Sequence, residues 1–75
     1  MERYRNTGGN SGIQSYEIGD DFIIVQFNDG GQYLYNYTST RSSNVEKMKN
    51  LAQSGHGLNS FISRTIRKNY ASKLR

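Results

Sequence analysis

Residues 22–37 contain the pattern that most limits how this chain can fold. Two runs rich in β-branched and aromatic residues, at 22–27 and 32–37, are separated by Asn28-Asp29-Gly30-Gly31. Asp-Gly between two such runs is the strongest short-range indication of a β-hairpin, because glycine adopts positive φ freely and aspartate tolerates it. The pattern therefore predicts two antiparallel strands joined by a tight turn.

The register of this hairpin decides which residues share a sheet face. With Asp29 and Gly30 as the two central residues of the turn, Val25 lies opposite Leu34. Side chains alternate between the two faces of a strand, so each face then collects its own set. One predicted face holds Ile23, Val25, Phe27 and Leu34, and the other holds Phe22, Ile24, Tyr33, Tyr35 and Tyr37. Neither face is polar, so at least one of them has to be covered.

A third strand and a flexible lead are expected before the hairpin. Residues 13–18 show the mixed alternation of an edge strand, and Gly19-Asp20-Asp21 indicates the turn that follows. Residues 1–12 contain three glycines and only Met1 and Tyr4 as apolar anchors. Because so few apolar groups do not offset the entropy lost on ordering, we expect residues 1–12 to be a flexible N-terminal segment.

Two helices are predicted after the hairpin, beyond a polar connector at residues 38–42. Ser43 and Glu46 have the spacing of a capping box that begins the first helix, and Ser54-Gly55 ends it. A second helix, which Asn59 can cap, runs to the low seventies. The apolar residues at helical spacing are Val45, Met48, Leu51 and Ala52 in the first helix and Leu58, Phe61, Ile62, Ile66 and Tyr70 in the second.

Strands followed by helices predict an α+β domain of order β-β-β-α-α. We expect a small antiparallel three-stranded sheet followed by two helices packed on one face. Residues 13–72 form this domain, and residues 73–75 are a C-terminal tail. Two helices can cover only one face of so small a sheet, so the other face is either exposed to solvent or part of an interface.

The composition excludes several classes of protein. The 75 residues suffice for one small domain, and the lack of cysteine excludes disulfides and cysteine catalysis and fits the reducing cytoplasm. No apolar run approaches the roughly 18 residues of a membrane span, and the N-terminus lacks the hydrophobic stretch of a signal peptide. His56, the single histidine, lies between two glycines with no catalytic partner placed by a motif, so we interpret it as a turn residue. With no metal-binding pattern and no phosphate-binding loop, we expect neither an enzyme nor a cofactor-binding protein.

Charge is divided unevenly along the chain. Residues 1–37 carry a net charge of −3 and residues 38–75 a net charge of +7, which together give +4. Arg64, Arg67 and Lys68 are spaced i, i+3 and i+4, so on an α-helix they share a face that can neutralise several phosphates. The other interpretation is a solvated helix face whose cations favour the helix dipole near the C-terminus.

Tyr33, Tyr35 and Tyr37 lie at period two on one face of the predicted sheet. Aromatic rings beside cations are a common platform on which the bases of single-stranded nucleic acid stack. Alternatively, the rings form the core beneath the helices, because the chain has few aliphatic residues to bury. In that case the opposite, aliphatic face is left exposed, which favours a protein partner or a homodimer.

Several short motifs follow one another in order between residues 11 and 70. They are Ser11-Gly12-Ile13, Val25-Gln26-Phe27 before Gly30-Gly31, Tyr33-Leu34-Tyr35, Ala52-Gln53-Ser54-Gly55, Asn59, and Ile66-Arg67-Lys68-Asn69-Tyr70. In order and spacing they resemble the KTSC domain, a family named for its occurrence at the C-terminus of some lysyl-tRNA synthetases and also found as stand-alone bacterial proteins. The chain departs from the family at Thr38-Ser39, where members commonly carry Val-Pro, which predicts a looser connector here. The resemblance implies an α+β fold and suggests RNA binding.

Two functions are consistent with these observations. The first is a small cytoplasmic, non-enzymatic domain that binds nucleic acid, with RNA favoured over DNA through the resemblance. Its predicted site residues are Arg64, Arg67 and Lys68, which contact phosphates, and Tyr33 and Tyr35, which stack bases if their rings are exposed. The alternative is a protein-interaction or homodimerisation module that uses an exposed sheet face or the edge strand at residues 13–18.

Overall fold

An antiparallel sheet, with helical segments after its fourth strand, organises the chain. The computed structural model describes residues 1–5, 12–66 and 68–75. Its elements are β1 (Glu2–Arg3), β2 (Ile13–Ile18), β3 (Phe22–Phe27), β4 (Gln32–Asn36), α1 (Tyr37–Thr40), α2 (Ser42–Ser54), α3 (Leu58–Phe61), a π-helical turn (Ile62–Ile66) and β5 (Ser72–Lys73). The sheet has the order β1-β2-β3-β4-β5, and each neighbouring pair is antiparallel. The α+β class is confirmed, whereas the prediction of three strands is wrong, because the described residues form five.

The register between β3 and β4 differs by one residue from the predicted one. Val25 pairs with Tyr33 rather than with Leu34. The reason is the turn, in which three residues, Asn28-Asp29-Gly30, instead of two lie between Phe27 and Gly31, the hydrogen-bonded pair that closes the hairpin. Gly30 has a φ of 94°, the left-handed conformation that a three-residue hairpin loop of this kind requires at its last position.

The shifted register places aliphatic and tyrosine side chains on the same sheet face. Ile23 and Val25 are fully buried, and Tyr35, opposite Ile23, is 1% exposed. The same core cluster also includes Tyr4, Ile13, Tyr16, Val45, Met48, Ala52, Leu58, Ile62 and Ile66. The predicted separation of an aliphatic face from a tyrosine face is therefore wrong, and Ile23 and Val25 do not form an exposed patch.

The opposite face of the sheet is mixed in polarity. Its apolar residues on β3 and β4, all half-buried, are Phe22, Ile24 and Leu34. Beside them Gln26 donates a hydrogen bond to Gln14 at 3.1 Å and accepts one from Gln32 at 2.9 Å. These side-chain amides link β2, β3 and β4 across this face.

The N-terminal residues belong to the sheet. β1 pairs with the middle of β2, so β2 is flanked on both sides and is not the edge strand that was predicted. Tyr4 is 3% exposed, and its hydroxyl accepts a hydrogen bond from the backbone N–H of Leu58 at 3.3 Å. The expectation of a flexible segment is therefore wrong for residues 1–5. Residues 6–11, which the same expectation covered, lie outside the described residues.

The first predicted helix corresponds to α2. The residues that it buries are Val45, Met48 and Ala52, all of them in the predicted apolar set. It ends at Gly55, whose φ of 87° is the predicted left-handed conformation. The capping box is wrong, because the helix begins at Ser42 after Arg41 and has no side-chain cap.

Glu46 contacts Tyr37 of α1 and Lys49 of α2 instead of capping α2. Its carboxylate accepts hydrogen bonds from the Tyr37 hydroxyl at 2.6 Å and from Lys49 Nζ at 2.8 Å. The Lys49 ammonium also donates to the carbonyl of Asp20 at 2.9 Å. Hydrogen bonds from Lys49 and Tyr37 hold the pKa of Glu46 below its ordinary value. The predicted connector at residues 38–42 overlaps α1, and Tyr37, the first residue of α1, contacts α2 through Glu46.

The second predicted helix is shorter than expected. α3 starts after Gly57, without a side-chain cap from Asn59, and the π-helical turn ends at Ile66. The chain then returns to the sheet as β5, where the N–H groups of residues 71 and 74 each donate to a β4 carbonyl at 2.7 Å. The prediction of a helix reaching the low seventies is therefore wrong, and the predicted C-terminal tail at residues 73–75 contributes Lys73 to β5.

Gly55→Ala is expected to destabilise the fold by about 2 kcal/mol or more, since left-handed backbone alone costs an L-residue about 1–2 kcal/mol. An added Cβ would also lie 2.7 Å from the Cβ of Arg5, in the N-terminal segment. Urea unfolding followed by circular dichroism measures the loss. Gly12→Ala is the control, because its Cβ would meet nothing within 4 Å. An unchanged unfolding midpoint in Gly55→Ala would contradict the packing of residues 1–5 against the end of α2.

Candidate nucleic-acid interface

A groove of about 360 Å³ opens between the β3–β4 hairpin and the segment that follows the π-helical turn. Four aromatic side chains line it, so we call it the aromatic groove, and three of them are only half-buried: Phe27, Tyr33 and Tyr70. Tyr35, nearly buried, also contributes to its lining, and its charged residues are Asp29 and Lys68. The groove thus combines partly exposed rings with charges of both signs.

The observed hairpin register brings the rings of the aromatic groove together. Tyr33 lies opposite Val25, and Phe27 lies two residues beyond Val25, so both project on the core face of the sheet. Their ring centroids are 5.6 Å apart at an interplanar angle of 79°, and Tyr70 lies 4.8 Å from Tyr33 at 61°. Edge-to-face packing of this kind stabilises aromatic pairs by about 0.5–1.5 kcal/mol. The rings therefore hold one another in fixed orientations.

Cations reach the aromatic groove from the C-terminal segment. The pairing of β4 with β5 places Lys73 opposite Tyr33, with its Nζ 5.7 Å from the ring centroid. This is within the range of a cation–π contact. Lys68 lines the groove directly, and its side chain is exposed. One ammonium group, that of Lys73, therefore lies over the ring of Tyr33, and a second cation, Lys68, lines the groove.

Asp29 supplies the negative charge of the groove. It is exposed at the tip of the hairpin, and its Oδ1 accepts a hydrogen bond from the N–H of Gly31 at 2.9 Å. This bond holds the side chain in the three-residue turn. The carboxylate is therefore both a turn-forming group and part of the groove lining.

The predicted site residues are only partly brought together. Tyr33 and Lys68 line the same groove. Tyr35 is 1% exposed, so it offers no ring face on which a base could stack. Arg64 is exposed on the π-helical turn but is not among the groove-lining residues, and Arg67 lies outside the described residues. The predicted α-helical face is wrong because the helical segment ends before Lys68.

The sequence pattern does not place Tyr70, which lines the groove, or Lys73, which lies over the Tyr33 ring, at the site. The helical spacing predicts Tyr70 on the apolar stripe of a helix, and Lys73 falls in the predicted C-terminal tail. Both assignments assumed that the helix continues past Ile66. Asn69, a residue that favours turns, is the one signal before Tyr70 that indicates an earlier end. A two-residue strand such as β5 has no sequence pattern of its own.

Burial makes the Tyr35 hydroxyl a weaker acid than usual. Desolvation, together with smaller contributions from the neighbouring Tyr33 and Tyr70 hydroxyls, raises the pKa of Tyr35 to about 12. The hydroxyl therefore stays protonated at neutral pH. It adds no charge to the aromatic groove.

Other candidate chemistry lies away from the groove. His56 is exposed in the turn between α2 and α3. Among the described residues, no three His, Asp or Glu side chains cluster closely enough to hold a metal ion. In the same part of the chain, no helix has the length and apolar character that crossing a membrane requires.

Comparisons with known proteins leave the aromatic groove as the main basis for inferring function. A scan against protein-family models finds no match, and searches of curated proteins and of solved structures find no significant match. The binding site is therefore inferred from the rings, charges and dimensions of the groove.

The free energy of unfolding is expected to fall as the pH rises from 10 to about 12. In this window Tyr35 in the unfolded chain has lost its proton, whereas folded Tyr35 still holds its own, so rising pH favours unfolding. Tyr35→Phe should reduce the slope. Urea unfolding at several pH values measures it, and equal slopes for the variant and the wild type would contradict the shifted pKa.

Proposed function

We propose that the protein is a non-enzymatic domain that binds single-stranded nucleic acid in the aromatic groove. The observation that carries the proposal is the position of Lys73 over the ring of Tyr33. Tyr33 lines the aromatic groove together with a second cation, Lys68. Proteins that hold single strands combine rings on which bases stack with cations that follow the phosphates. The groove presents both within one small surface.

Positive charge outside the groove also favours a nucleic acid as the ligand. The chain carries a net charge of +4, and residues 38–75 carry all of the excess. Arg64 is exposed on the π-helical turn, which precedes Lys68 in the chain. We infer that Lys68 contacts a phosphate at the groove and that Arg64 contacts a further phosphate, while Arg67, outside the described residues, stays a predicted phosphate contact. Such contacts make binding depend strongly on salt.

RNA is the nucleic acid that we propose. The resemblance to the KTSC domain favours it over DNA, and we infer membership of that family from the same motifs. A cytoplasmic location agrees with the absence of cysteine. No reaction is proposed, since the groove pairs no nucleophile with a general base.

Lys68→Glu is expected to weaken binding of a short single-stranded RNA by about tenfold or more at low salt, because it replaces an attraction to phosphate with a repulsion. Losing one phosphate contact should also make the slope of log K against log salt shallower by about 0.7. Fluorescence anisotropy of labelled RNA at several salt concentrations measures both quantities. Lys47→Glu is the control, because Lys47 is exposed on α2 and the change in net charge is the same. Equal losses in the two variants would contradict a site in the groove.

Tyr33→Leu is expected to weaken the same binding by about fivefold to a hundredfold, since stacking on a ring contributes about 1–3 kcal/mol per base. The salt slope should stay as in the wild type, because no charge changes. Tyr37→Leu is the matched control, as Tyr37 is exposed and outside the groove. Circular dichroism establishes that each variant is folded. Wild-type affinity in folded Tyr33→Leu would exclude Tyr33 as a stacking platform.

The alternative function is a protein-interaction or homodimerisation module. The observation that favours it is the group of half-buried apolar residues on the face of the sheet away from the helices, Phe22, Ile24 and Leu34. A hydrophobic interface there would persist at high salt, whereas phosphate contacts weaken steeply. A single species of monomer mass in sedimentation over a wide concentration range would count against the homodimer.

A further inference from the structure

The aromatic groove contains a carboxylate as well as a cation. A site that only attracted a polyanion would be expected to contain cations alone. Asp29 lines the groove together with Lys68. Its hydrogen bond from Gly31 occupies Oδ1, and a carboxylate has acceptor sites on two oxygens. Asp29 can therefore accept a further hydrogen bond from a ligand in the groove.

The size of the groove limits what it can hold. Its volume of about 360 Å³ lies at the lower end of the range for small-molecule sites, which is about 300–1,000 Å³. A single base with its sugar and phosphate suits such a space, whereas the bases of a duplex remain stacked on one another and do not present their faces. The groove thus suits one unpaired nucleotide at a time.

We propose that the aromatic groove selects an unpaired nucleotide whose base carries an exocyclic amino group, with Asp29 accepting a hydrogen bond from that group. The inference rests on the proposed nucleic-acid binding and names its substrate class. The base lies against Tyr33 and Tyr70, and the phosphate lies toward Lys68 and Lys73. Cytosine, adenine and guanine offer such an amino group on the edge used for pairing, whereas uracil does not.

Asp29 also rejects the competing base. Uracil carries a carbonyl oxygen where cytosine carries its amino group, so two acceptors would face each other in the groove. Repulsion of this kind adds to the missing attraction in discriminating between the two bases. Cytosine and uracil have similar size and shape, so Asp29 decides between them through hydrogen bonding.

The test compares oligocytidine with oligouridine of equal length at neutral pH. Both are single-stranded pyrimidine chains with the same backbone charge, so their affinity ratio isolates the base. Wild-type protein should bind oligocytidine about fivefold more tightly or better, the lower end of what one base-edge contact provides. Asp29→Asn should abolish or reverse this preference. Its amide oxygen can still accept from Gly31 in the turn, while its amide N–H₂ group donates to uracil.

Asp20→Asn is the matched control. Asp20 is exposed in the turn at the other end of β3, and the variant makes the same change in net charge. It should tighten binding of both oligonucleotides alike and leave their ratio unchanged. Tyrosine fluorescence reports occupancy directly, because the chain has six tyrosines and no tryptophan.

The possible results separate this inference from the function on which it depends. Equal affinity of the wild type for the two oligonucleotides, or an unchanged preference in Asp29→Asn, would overturn the role of Asp29 and leave nucleic-acid binding in place. Failure to bind either oligonucleotide at low salt would overturn both. A preference for oligocytidine that only the Asp29 variant loses would support both.

Discussion

The length of the turn between β3 and β4 determines how the rest of the structure is assembled. Because three residues, with Gly30 in the left-handed conformation, lie between Phe27 and Gly31, Val25 pairs with Tyr33. A two-residue turn would shift the pairing by one position and send the tyrosines of β4 to the other face of the sheet. With the observed turn, Ile23, Val25 and Tyr35 lie on one face and form one core with the helices.

The same constraint creates the aromatic groove. Tyr33 and Tyr35 are two residues apart on β4, so both side chains lie on the core face. The helical segments cover them unequally. Tyr35 is buried, whereas Tyr33, nearer the hairpin tip, is only half-buried. The helical segment ends at Ile66, so the chain after it is free to return along β4 and bring Tyr70 and Lys73 to the uncovered ring. Core and groove are therefore two parts of a single sheet face.

Local patterns in the sequence were sufficient for the features that depend on neighbouring residues. The hairpin, the buried stripe of α2 and the left-handed Gly55 each follow from residue types within a few positions of one another. The register did not follow, because Asp-Gly occurs in both two-residue and three-residue loops, and only pairing along the strands distinguishes them. Tyr4 was missed for a related reason: its burial depends on contacts with residues far along the chain, such as Leu58. Of the candidate site, Tyr33 and Lys68 could be found from residue type, but Tyr70 and Lys73 depend on where the helical segment ends.

Partly exposed rings are costly for a chain of this composition. Only 33% of the residues are apolar, so burial of each aromatic ring matters for a domain whose core is small. Phe27, Tyr33 and Tyr70 nevertheless remain half-buried around an open groove. Because their edge-to-face contacts already fix their orientation, a ligand that stacks there does not have to order them first, and less binding free energy is lost to ordering. Surface that is both apolar and preorganised is more useful for recognition than for stability, which is why we place the function in this groove.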